Sequence, residues 1–161
     1  MIVSARWVLV TIACLVLPGS ACSESTAPGG DAGPEVVLVL SAPDGTARNT
    51  FEVGAPIHLR LTLRNPTTTE LRLAFSSGRT HDAVVSAADG SERWRWSARR
   101  AFTQALAELS LAAGAELEFE LVCDPARDDG EPLPPGRYRA AAIIPAFDVS
   151  LRSAPVVFDI E

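Results

Sequence analysis

Few residues in this chain have the type and spacing to do chemistry. Two histidines, His58 and His81, are the only imidazoles, and no lysine is present. His81 precedes Asp82, and a carboxylate beside an imidazole can orient it for proton transfer. Adjacent residues of an extended segment point to opposite faces, however, so this pair reads first as structural, at the start of a strand. His58 lies on the polar side of an alternating segment and reads as solvated. Glu116, Glu118 and Glu120 form an acidic row. Hard cations take about six to eight oxygens from a folded loop, not from one strand row. The row is better matched to arginines on a neighbouring strand, such as Arg60 and Arg64. There is no G-x-S-x-G, H-E-x-x-H, C-x-x-C or phosphate-cradling lysine motif. The chain therefore reads as non-catalytic, with no metal and no cofactor.

The cysteines carry information about compartment. Trp7 to Leu17 is an apolar run of 11 residues behind Arg6. Spanning a bilayer as a helix takes about 20 residues, so the run suits the hydrophobic region of a signal peptide. Pro18-Gly19-Ser20-Ala21-Cys22 follows and resembles a bacterial lipobox, in which the cysteine becomes the lipidated first residue. Gly19 stands where leucine is common, and Gly19 with Ala21 also satisfies an ordinary signal-peptidase site. Ser23, not an aspartate, follows Cys22, which by resemblance to Gram-negative lipoproteins implies the outer membrane facing the periplasm. The alternative is a soluble periplasmic or secreted protein. If Cys22 is lipidated, Cys123 is left as a small buried hydrophobe. A Cys22–Cys123 disulfide is the alternative if it is not. The expected organisation is a signal peptide at 1–21, a Gly/Pro/Ser-rich tether at 22–34 and one domain at 35–161. The formal charge is −6, which argues against nucleic acid as a partner.

The elements that must position these residues show a period of two. Ile57, Leu59, Leu61 and Leu63 alternate with His58, Arg60, Thr62 and Arg64. The same rhythm runs through Leu71–Phe75, Glu116–Leu121, Tyr138–Ile144 and Val156–Ile160. Turn signals such as Asp44-Gly45, Asp89-Gly90 and Asp129-Gly130 separate the runs. This predicts an all-β, immunoglobulin-like antiparallel sandwich of about seven to nine strands. One stretch departs from it. Phe102, Leu106 and Leu109 form a helical stripe within Ala98–Leu111, predicting a short helical segment near 99–107. Trp94 and Trp96 alternate with Arg93 and Arg95 and should share one strand face, as core or as an exposed binding platform.

The order of motifs between Phe51 and Ile144 resembles the BsuPI-type intracellular proteinase inhibitor domain. The resemblance rests on FEVGAPIHLRLTLRN, on LAFSSGRTHDAVV with Phe75, Ser77, Gly78 and Asp82, and on DGSERWRWS with Trp94, Trp96 and Ser97. It continues with AFTQAL, which has Phe102 and Gln104, then LAAGAELEFEL and PPGRY. Cys123 stands where tryptophan is common in that family, and the namesake carries no export signal. The resemblance implies a sandwich that binds a protein partner, a serine proteinase, without a cofactor. Ser77, Gly78, Asp82, Trp94, Trp96, Ser97, Phe102 and Gln104 are the motif residues it offers for that binding.

An inhibitor of the substrate-like kind must present an exposed, pre-ordered segment. Ser97–Ser110 and Asp124–Gly136 are long enough, and prolines stiffen the second. A plain connection is the simpler reading of either. The function expected is thus a proteinase-inhibitor-like binding protein at the cell envelope, against the alternative of a structural or assembly module there. The anchor is directly testable, because replacing Cys22 by Ala is expected to release the protein from membranes into the soluble fraction. A variant that still sediments with membranes contradicts lipidation at this position.

Overall fold

The two-residue alternation closes on itself as two packed sheets in a computed structural model, which describes residues 33–124 and 131–161. The expected signal peptide, Cys22 and nearly all of the tether lie outside the described residues. The first sheet has the order β1 (Glu35–Ser41), β3 (Ile57–Arg64), β8 (Glu116–Cys123), all antiparallel. The second has the order β2 (Thr50–Phe51), β11 (Val156–Ile160), β9 (Gly136–Pro145), β5 (Asp82–Ala87), β6 (Glu92–Arg95). β10 (Ser150–Arg152) also pairs with β9, beyond the end of β11. A separate ribbon joins β4 (Leu71–Phe75) to β7 (Ala107–Leu111). The protein is an all-β sandwich. Its eleven described strands exceed the expected seven to nine because β2 and β10 have only two and three residues, too few to display a period.

The core lies between the inner faces. Ile57, Leu59, Leu61 and Leu63 are buried to 3% exposure or less, as their alternation requires. They meet Ala83 and Val85 of β5, Ala140, Ala142 and Ile144 of β9, and Phe158 of β11 within one buried cluster. On the outer face of the first sheet the register sets Arg60 opposite Glu120 and Arg64 opposite Glu116. The pairs form, with N···O distances of 3.9 Å and 3.0 Å. Their side chains are largely exposed, so they align strands more than they stabilise them.

Two features place the ribbon and its loops. Asn65 immediately follows β3 and is buried, and its amide donates to the carbonyls of Thr69, Leu111 and Ala112. Its backbone exchanges bonds with Gly114 and Ala115. One side chain thereby fixes the start of β4 to the β7–β8 turn. On the other side of β4, Phe147 N donates to Ala74 O at 2.8 Å.

The helical segment near 99–107 is a correction. The chain makes one 3₁₀ turn at Trp96–Arg99, and residues 100–106 are not helical. Ala107–Leu111 pairs with β4 and alternates in burial. Ala107, Leu109 and Leu111 carry a period of two that overlaps the helical stripe, and ribbon pairing satisfies their backbone. The shared face expected for Trp94 and Trp96 is also corrected, because β6 ends at Arg95 and Trp96 begins the turn. Both indoles are half-buried and pack against the edge of the core.

Candidate functional site

The motif residues converge where the second sheet begins β5. Asp82 opens that strand, and its side chain is 2% exposed. An unpaired carboxylate at such a depth costs several kcal/mol, on the order of the desolvation penalty of a buried ion, so it must be answered on every side. It is. Oδ1 accepts from Ala83 N at 2.9 Å and Ser97 N at 3.1 Å. Oδ2 accepts from Ser97 Oγ at 2.7 Å and Arg95 Nη1 at 3.2 Å. Arg79 Nη1 lies 3.6 Å from Oδ2 and donates to Ser97 Oγ at 3.4 Å. Glu92 holds Arg95 from the other side through Nε at 2.9 Å. The register explains the convergence, since β5 pairs with β6 so that Val84 faces Arg95. That pairing returns the chain past the head of β5 as it enters the 3₁₀ turn.

His81 points the other way, towards the first sheet. Its ring lies between Phe119 of β8, with centroids 4.2 Å apart, and Trp96, at 4.8 Å. Trp96 also meets Phe102 at 5.9 Å and carries the Arg100 guanidinium 4.6 Å from its ring centre. The column ties a residue of each sheet to the loop after β6. Nδ1 of His81 lies 3.1 Å from Thr80 Oγ1. Burial holds the imidazole pKa below its ordinary 6.5, while the Asp82 charge opposes the shift.

A third contact fixes the far part of the loop. Gly78 N donates to Thr103 O at 2.9 Å. A β-carbon at Gly78 would sit 2.6 Å from Thr103 Oγ1, so a larger residue there would force the threonine side chain to move. Ser77 Oγ accepts from Arg79 N at 3.3 Å, and Gln104 Nε2 donates to Phe102 O at 3.3 Å.

Gly78, Asp82, Trp96, Ser97 and Phe102 thus act on one structure, the loop 96–106. Ser77 braces the turn that carries Arg79, Trp94 packs into the core edge beside Arg95, and Gln104 closes on its own loop. The sequence reading missed Arg79, Arg95, Phe119 and Thr103, and gave His81 only a strand-start role. The ERWR alternation was the one available signal for Arg95. His81 and Asp82 do not form a catalytic pair, because one enters the ring column and the other the ionic cluster. The second loop considered, Asp124–Gly136, includes residues 125–130, which lie outside the described residues.

Two outcomes are expected. Asp82→Ala strands the Ser97 amide and hydroxyl and releases two part-exposed arginines, and should cost about 1–3 kcal/mol, with faster hydrogen exchange at Ser97 and Gly78. Unchanged stability and exchange would contradict the clamp. For His81, the unfolded chain takes up a proton below pH 6.5 before the folded chain does. The stability it contributes is therefore complete above that value and declines as pH falls through the window beneath it. His81→Phe keeps a ring in the column without the proton, and should flatten the loss of melting temperature below about pH 6.5. Identical profiles for the two proteins would exclude this role.

Comparison with known proteins agrees with the architecture. Residues 46–149 match the family described as BsuPI, intracellular proteinase inhibitor. No curated protein sequence matches the chain. Among solved structures, the C-terminal domain of Wzt superposes with a TM-score of 0.52 at 11% identity, covering 80% of this chain and 74% of that one. Spo0M, a sporulation control protein of Bacillus subtilis, gives 0.49 at 11% identity over 80% of this chain and 49% of its own. The alkylpurine DNA glycosylase AlkC of Pseudomonas fluorescens gives 0.45 at 15% identity, covering 81% of this chain and 31% of the glycosylase. At such identities the Wzt likeness speaks for the fold alone, and the other two carry no argument. The family match spans well over half of the chain and encloses the Phe51–Ile144 motifs, so the chain belongs to the BsuPI family of intracellular proteinase inhibitors.

Proposed function

We propose that the protein is a non-catalytic, proteinase-inhibitor-type binding protein that presents the loop 98–106 to a serine proteinase at the bacterial cell envelope. Family membership supports the proteinase-inhibitor class. The observation that carries the use of this loop is its double fixation, at Ser97 by Asp82 and at Thr103 by Gly78. Between and beyond these points, Ala98–Ala101 and Thr103–Leu106 are exposed. A loop ordered before binding loses little conformational entropy when a protease grips it, and it resists the flexing that a substrate undergoes. Neighbouring exposed surface must complete the contact, since inhibitor interfaces cover about 800 Å² on each partner.

The envelope location rests on the sequence signals at Arg6–Cys22, with Cys22 as the lipid-bearing residue. The lipid would hold the domain at the outer membrane, where the tether gives it reach.

Titration of the purified protein against subtilisin-like and trypsin-like proteases tests the reading. Saturable inhibition at or below micromolar concentration is expected, with the inhibitor left intact. No slowing of either protease, or digestion of the protein itself, counts against the inhibitor function.

A further inference from the structure

Leu106 is 77% exposed and Phe147 is 60% exposed, the two highest values among the large hydrophobic side chains of the described residues. A single exposed leucine is ordinary on any protein surface. These two flank the same strand end. Leu106 immediately precedes Ala107, which pairs with Phe75 at the end of β4. Phe147 N is bonded to Ala74 O, one residue earlier in β4. Phe75 itself is buried to 1%, so both segments hang from a point rooted in the core.

The backbone around Leu106 is pinned within a few residues on each side. Thr103 is held by Gly78 and Ala107 by the ribbon. The chain bends at Gln104–Ala105 between them. The other side chains able to anchor a protease on this loop are Arg99 and Arg100. Arg100 already lies over the Trp96 ring, and Arg99 is also engaged. An acidic pocket would have to strip those contacts first, whereas Leu106 gives up almost nothing on entering an apolar one.

Building on the inhibitor reading above, we propose that Leu106 is the anchor residue of the loop. It enters the primary specificity pocket of a serine proteinase whose pocket is apolar, and Phe147 supplies the adjoining contact. A bulky side chain fully desolvated in a pocket dominates the energy of such interfaces, while its neighbours mainly exclude water.

The test uses the full chain with subtilisin and chymotrypsin, whose primary pockets are apolar, and trypsin, whose pocket is acidic. Leu106→Gly is expected to weaken inhibition of the first two about 100-fold, and Phe147→Ala about 5-fold. Leu106→Arg should lose the first two and gain trypsin, a gain that unfolding cannot produce. Circular dichroism and melting temperature should stay unchanged in all three variants, because both side chains are exposed. If the wild-type protein inhibits and Leu106→Gly inhibits equally well, the anchor assignment falls while the inhibitor reading stands. If the wild-type protein inhibits none of the three, the inhibitor reading fails and takes the assignment with it.

Discussion

The local structure around the loop depends on hiding one negative charge. Asp82 stands at the head of β5 with its carboxylate almost wholly removed from water. Leaving that charge unanswered would offset a large share of the marginal stability of a domain this size. Its neighbours are therefore constrained together. Arg95 must end β6, Ser97 must follow in a turn that offers both its amide and its hydroxyl, and Arg79 must approach from the preceding loop. The 3₁₀ turn lies where it does because Ser97 has to reach Asp82. Once it does, Trp96 is carried against His81, and the loop leaves in one direction.

The sandwich makes that constraint affordable. Its inner faces bring the leucine row of β3 and the alanines of β9 into one buried cluster. Asn65 performs at the opposite end of β4 what Asp82 performs at the head of β5. It is a buried polar group whose bonds join segments 46 and 47 residues apart. Both act through satisfaction rather than strength. Each is buried with its polar atoms partnered, and loss of any partner would leave an uncompensated group. The ribbon and the loop are thus held by polar bolts at two ends of a greasy slab.

How much of this could be read in the sequence depends on the range of the interaction. The strands were legible because their signal is local, and Ile57–Leu63 is buried as its alternation demands. The pairing of Arg60 and Arg64 with the glutamate row was also legible, since charge rows of opposite sign on two strands imply a register. Residues 98–111 misled because alanine and leucine satisfy two periods at once. The choice between them was made by β4, about 35 residues away in the chain, which local propensity does not sense. Gly78 and Thr103, and Arg79, Asp82 and Arg95, meet only after β5 and β6 have paired. A bulge between Val85 and Ser86 shifts that register. The family motifs pointed to several of these residues without giving the reason, which is the support of one loop.

The division of labour around that loop has a consequence for how such a protein changes its target. Gly78, Asp82 and Ser97 are constrained by geometry, because a β-carbon displaces the Thr103 side chain and a missing charge or hydroxyl leaves a stranded partner. Gln104, Ala105 and Leu106 face solvent, where a substitution away from special features shifts stability by about 0.5 kcal/mol or less. A scaffold arranged this way can exchange its tip without risking its fold, since the residues that set the loop's path are not those exposed at its tip. The same separation would let an inhibitor-family domain serve in more than one compartment. With the support kept as a unit, a different target would ask only for a different exposed side chain on a backbone that is already in place.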